Sequence, residues 1–206
     1  PLLQHSTDIL QSRDIKRIVF CLGHHAEDVR AWALGQSLPY IVDFRVDEKP
    51  GILFAITSAL TSLPEKTAIC CNGDEIRVGL NIEDVLGFHR DQRNLCTMVA
   101  TETDHLYRYR VLRLREDGST LLSSELRPSA FRHQRYIRGL VNTGFLILDK
   151  EAVRYFDTYS NLGWGGIIDP LCRAGKISVY VDRALMYCNV GTEEELHDAT
   201  DLFEGG

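Results

Sequence analysis

The sequence predicts an α/β fold: a Rossmann-like three-layer sandwich around a mostly parallel central sheet. Three observations carry this. Apolar runs at Arg17–Leu22 and 68–71 stop at Gly23 and at Asn72-Gly73, which is how strands buried on both faces read. Helical and strand-like stretches alternate through the first 71 residues, and that order argues for parallel strands joined by right-handed crossovers. A length of 206 residues, 44% of them hydrophobic and 25% charged, suits one domain with a sizeable core. Residues 1–206 are therefore read as a single domain, with no internal repeat, low-complexity tract or linker.

Each element has a local reason. Residues 2–13 place Leu2, Leu3, Ile9 and Leu10 on one helical face. The strand Arg17–Leu22 follows, and then a helix over 24–34 turns Val29, Trp32 and Ala33 inward and stops at Gly35. Residues 40–46 alternate as a strand near an edge does. Residues 51–63 form a helix ending before Pro64, and the strand 68–71 comes next. Asn81 is placed to cap a helix over 81–91. Strands are predicted at 96–101, 107–114 and 121–124, the last two joined by the turn Glu116-Asp117-Gly118. A strand at 140–148 is interrupted by Gly144. Short helices at 150–156 and 164–173, strands at Ile177–Val181 and 185–188, and a helix at 192–202 complete the chain.

The net charge of −6 does not favour nucleic acid or an anionic membrane. No apolar run approaches the roughly 20 residues that span a bilayer. The opening Pro1-Leu2-Leu3-Gln4-His5 carries no secretory signal, and its lack of Met points to a fragment or a processed form. The six cysteines form no Cys-x-x-Cys pair; buried free thiols in a reducing cytoplasm are the simplest account.

The chemistry centres on Asn72-Gly73-Asp74. A buried strand ends there in turn residues and delivers a carboxylate. Ligands of open α/β sheets bind outside the carboxyl ends of the strands. A structural turn of the same composition is the plain alternative.

In order along the chain, the parts resemble the sugar-1-phosphate nucleotidylyltransferases, the pyrophosphorylases that make NDP-sugars. Glu48-Lys49-Pro50-Gly51 with Ala55-Ile56 resembles the family's Glu-x-x-Leu-Gly-Thr-Ala-Gly loop. Asn72-Gly73-Asp74 matches its Asn-Gly-Asp. Glu116-Asp117-Gly118 and Glu125-Leu126-Arg127-Pro128 resemble Asp-Gly followed by Glu-Lys-Pro. Val141-Asn142-Thr143-Gly144 is similar to its Asn-x-Gly strand, and Asn189-Val190-Gly191-Thr192 to its Asp-Ile-Gly-Thr.

That resemblance implies a nucleotide-diphospho-sugar transferase type of fold. It implies a reaction in which a sugar phosphate attacks the α-phosphate of an NTP and pyrophosphate leaves, with Mg2+ as cofactor. Asp74 is then the first metal ligand and a catalytic residue. Asn189 stands where the family has its second carboxylate, and an amide oxygen ligates without charge. Arg127 would act on phosphate, which a guanidinium forks well. Glu125, Asn142 and Gly144 would bind sugar, Gly51 the nucleobase, and Asn72 and Gly73 would line the substrate site. NTP and sugar phosphate are the implied partners; a homo-oligomer is compatible with the sequence.

Two departures stand out. The family's phosphate-cradling Gly-x-Gly loop and its first strand fall ahead of Pro1. The base-binding loop reads Gly51-Ile52-Leu53-Phe54, whose bulk would crowd a nucleobase. These departures and Asn189 make a catalytically silent regulatory or sugar-nucleotide-binding subunit the alternative. A metal-dependent glycosyltransferase fits less well, because Asn72-Gly73-Asp74-Glu75 lacks an Asp-x-Asp pair.

Overall fold

The structure is a computed structural model, and it describes residues 2–12, 14–46, 51–104, 109–125, 138–157 and 163–204. The elements run in the order α1 (Leu2–Asp8), β1 (Arg17–Leu22), α2 (Ala26–Gly35), β2 (Ile41–Val46), α3 (Ile52–Ser62), β3 (Thr67–Cys71), β4 (Glu75–Val78) and α4 (Ile82–Gln92). They continue with β5 (Cys96–Thr103), β6 (Val111–Leu114), β7 (Leu121–Glu125), β8 (Gly139–Asp149), a 3-10 helix (Lys150–Tyr155), α5 (Gly165–Arg173), β9 (Ile177–Val181), β10 (Met186–Asn189) and α6 (Glu193–Glu204).

The sandwich is written into β8. Phe145 and Ile147 join Phe20, Ala33 and Val85 on one side of the sheet. Leu146 and Leu148 join Leu53, Leu60, Ile167 and Leu171 on the other. Successive strand residues face opposite sides, so a strand apolar at every position needs helices on both faces. All four of these β8 side chains are fully buried, each contributing roughly 1.5–3 kcal/mol by burial.

β8 is antiparallel to β3 and to β5, and β5 is parallel to β9. Thus β3, β5 and β9 share one direction, with β8 reversed among them. β1 and β2 pair in parallel, and the short strands β4 and β10 form a separate antiparallel ladder. Asn81 caps α4 as expected, its side chain accepting from the Glu83 N–H at 3.1 Å.

Two expectations change. The strand at 68–71 packs on both faces as expected, Ala68 and Cys70 against one core and Ile69 and Cys71 against the other, but it is only half-buried, because one of its edges opens on a slot. Cys21 is exposed and Cys70, Cys71 and Cys172 are half-buried; only Cys96 and Cys188 are fully buried free thiols. Among the described residues no helix is long and apolar enough to cross a membrane.

Candidate active site

β3 ends at Cys71, and Asn72-Gly73-Asp74 turns the chain into β4. The Asp74 side chain is exposed. Its backbone carbonyl accepts from the Val190 N–H at 2.8 Å. Asn189 faces Glu75 across the β4–β10 ladder, so Asp74 and Asn189 are brought together from opposite ends of the chain.

Behind the turn lies a buried polar cluster that sequence reasoning missed. The Arg77 side chain is fully buried and forms an ion pair with Glu75. Its Nε donates to the Thr143 carbonyl at 2.7 Å and its Nη1 to the carbonyls of Glu75 at 3.3 Å and Asn72 at 3.5 Å. The Tyr187 hydroxyl donates to Glu75 Oε1 at 2.9 Å. Burial pushes the Glu75 carboxyl up from its ordinary value, and the Arg77 charge pulls partly against it. Burial likewise raises the Tyr187 phenol, with Glu75 adding to the effect. The available signal was Glu75-Ile76-Arg77, which puts opposite charges on one face of a strand at spacing i, i+2.

Gly144 has φ +62°, a backbone that glycine adopts cheaply. The ladder to β5 passes from Met98↔Leu146 to Ala100↔Asn142. The extra residues fall on β8 as a bulge, a common device beside functional sites. A Cβ at Gly144 would collide with the Glu75 carboxylate, so the space beside this glycine is taken by Glu75. Asn142 Oδ1 accepts from the Gly144 N–H at 3.0 Å and so braces the bulge.

Gly51 precedes α3 with φ +121°, and it lines one slot together with Asn72 and Gly73. Of the bulky residues after it, Leu53 is buried in the core, while Ile52 is half-buried and faces the slot. Glu125 ends β7 opposite Val111, which in turn pairs with Val141. Its backbone is therefore two strands from β8, next to Asn142. Arg127 and residues 48–50 lie outside the described residues.

Asp74, Asn189, Asn72, Gly73, Asn142 and Gly144 are thus gathered around one end of the sheet. Arg110, Arg138 and Arg183 have partners within the chain. Arg138 and Arg183 both donate to Glu102, at 2.8 and 2.7 Å, and hold its carboxyl below the usual range, Arg183 chiefly. Arg110 donates to the Ser124 hydroxyl at 3.0 Å. Among the described residues no group of three or more His, Cys, Asp or Glu side chains could hold a metal.

No protein-family model matches the chain. It is 25% identical over 167 residues to the bifunctional protein GlmU of Listeria innocua, covering 79% of this chain and 34% of that protein. It is 28% identical over 156 residues to GlmU of Brevibacillus brevis, covering 74% and 32%. The chain therefore spans about a third of the length of these relatives. Among solved structures, HddC from Yersinia pseudotuberculosis superposes with a TM-score of 0.77 at 20% identity, covering 98% of this chain and 84% of that one. A candidate glucose-1-phosphate thymidylyltransferase from Bacillus anthracis gives 0.78 at 18% identity, covering 98% and 82%. The chain thus shares its fold with these solved structures along nearly its whole length, and its sequence is similar at 25–28% identity to GlmU proteins.

Proposed function

We propose that the protein transfers a nucleotidyl group from an NTP to a sugar 1-phosphate, releasing pyrophosphate. The observation that carries this reading is the position of Asp74. It is an exposed carboxylate on the turn after β3, tied through its carbonyl to Val190 beside Asn189. An oxygen of the sugar phosphate attacks the α-phosphorus; the bond from that phosphorus to the bridging oxygen of the β-phosphate breaks. Such a reaction asks the protein for positioning and charge neutralisation more than for covalent chemistry.

Asp74 and Asn189 would hold Mg2+, which when bound offsets charge on the phosphates. Asp74 supplies the charge of the pair and Asn189 an oxygen only. Glu75 is unsuited to that task, being buried and engaged by Arg77 and Tyr187. Asn142 uses its oxygen on Gly144, so its amide N–H groups are what it would offer a sugar hydroxyl. Glu125 and Arg127 would engage the sugar and its phosphate, and Gly51, Asn72 and Gly73 the nucleotide. A structure of HddC in complex with GMP-PN supports nucleotide binding to this fold. A cytoplasmic location fits nucleotide substrates.

The test is pyrophosphate release by the full-length gene product given Mg2+, each common NTP and a panel of sugar 1-phosphates. Release with one NTP and one sugar phosphate is expected. Silence across the panel overturns the reading.

A further inference from the structure

β2 is laddered to β1, and among the described residues no strand pairs with its other edge. The ladder fixes which backbone groups that edge offers. The Ile41 N–H donates to the Lys16 carbonyl at 3.0 Å. Along a strand in a parallel pair, alternate residues bond the neighbour. Ile41, Asp43 and Arg45 therefore turn their N–H and C=O groups toward β1, and Val42, Phe44 and Val46 turn theirs outward. Neither proline nor a register shift interrupts β2. Asp43, Phe44, Arg45 and Val46 line a cavity of about 470 Å³ with Ser58 of α3, and Val46 is 63% exposed. Natural edge strands are commonly guarded by charge against stray pairing. Here the two charges, Asp43 and Arg45, have opposite signs at spacing i, i+2, and opposite signs select a particular partner strand.

That partner is β2 itself. A second copy laid antiparallel about a two-fold axis at Phe44 meets every outward group. Phe44 exchanges hydrogen bonds with Phe44 of the partner subunit, Val42 with the partner's Val46, and Val46 with the partner's Val42. Asp43 then lies directly opposite the partner's Arg45, and Arg45 opposite the partner's Asp43. These fall at the non-hydrogen-bonded positions, where side chains come closest. Moving the axis one residue in either direction sets Asp43 against its own copy or Arg45 against its own copy, and like charges directly opposite repel. Charge thus selects the axis at Phe44. The Asp43 side chain forms an ion pair with Arg17 and is still 46% exposed, which leaves room for a second guanidinium. Phe44 is held from within the chain, stacked on Phe20 at 5.8 Å with the Arg30 guanidinium 4.8 Å from its ring centre. The edge is therefore presented in a fixed shape. A wholly apolar peptide would leave Asp43 and Arg45 unmatched.

We infer that β2 is a dimerisation edge, at which two copies of the chain pair their β2 strands antiparallel about Phe44, with Asp43 and Arg45 setting the register. The contact is isologous, the kind that closes as a two-fold dimer. The inference concerns this edge and stands whether or not the proposed reaction does.

Sedimentation velocity and residue-resolved amide exchange on the full-length protein test it. Between about 1 and 100 µM the amides of Val42, Phe44 and Val46 should slow at least about tenfold, while those of Asp43 and Arg45, already bonded to β1, change less. Arg45→Glu sets like charges together on both sides of the axis, and Val46→Pro removes an outward N–H at an exposed position. Each should weaken the dimer at least about tenfold. Asp43→Lys should weaken it too, yet an equimolar mixture of Arg45→Glu with Asp43→Lys should form heterodimers, because every cross-strand pair is then again of opposite sign. A monomer at about 100 µM overturns the inference. So does Phe44 exchange that ignores concentration, or a dimer whose dissociation constant Arg45→Glu or Val46→Pro leaves within about twofold. Folded single variants whose mixture stays monomeric overturn it as well. Where Asp43→Lys does not fold, because Arg17 has lost a partner, Arg45→Glu and Val46→Pro decide.

Discussion

The Glu75 carboxylate fills the space in front of the Gly144 Cα, where any other residue would carry its Cβ. One glycine on β8 thereby makes room for a buried acid on β4, and that acid and Arg77 brace the turn that presents Asp74.

Gly144→Ala should therefore destabilise the fold sharply. The φ of +62° costs an L-residue about 1–2 kcal/mol, and the methyl displaces one partner of a buried ion pair. A loss of about 2–4 kcal/mol in urea unfolding is expected. A loss under about 1 kcal/mol would show that Glu75 moves aside freely.

Arg77→Ala leaves Glu75 buried without its counter-charge and frees the carbonyls of Thr143 and Asn72. The expected loss is about 3–5 kcal/mol. Replacing both partners, as Glu75→Gln with Arg77→Met, should cost less than Arg77→Ala alone. Additive losses in that double-mutant cycle would separate the two residues.

The pH dependence has a definite sign. Burial raises the Glu75 carboxyl in the folded state, so between its unfolded and folded values the folded state binds more protons than the unfolded one. The Glu75 contribution to stability then falls as pH rises through that interval. The stability of wild type minus that of Glu75→Gln should fall from pH 4 toward pH 7. A rise in that quantity over the same range would mean that Arg77, and not burial, dominates.

Asn189→Asp would place a second carboxylate beside Asp74. The Mg2+ concentration giving half-maximal rate should fall by about tenfold, equivalent to ~1.4 kcal/mol. An unchanged Mg2+ dependence would remove position 189 from the metal site.

The fold was legible where local chemistry decides. Arg17–Leu22 and Ile177–Val181 have the bounds read from their apolar runs, and Asn81 caps its helix. Strand β4 was not legible: it is four residues long, carries Glu75 and Arg77, and exists because β10 pairs with it from far along the chain. The turn Asn72-Gly73-Asp74 was readable as a strand end. That Glu75 occupies the space at Gly144 was not, since it depends on a bulge in β8 and on tertiary packing. The half-exposure of β3 has the same origin, in an open edge that no local pattern records.

The most direct test compares wild type with Asp74→Asn in the full-length protein, scoring pyrophosphate release and thermal unfolding together. Because the Asp74 side chain is exposed, the melting temperature should stay put while the rate falls by at least about 100-fold. An unchanged rate in a folded Asp74→Asn protein would contradict the role assigned to this carboxylate.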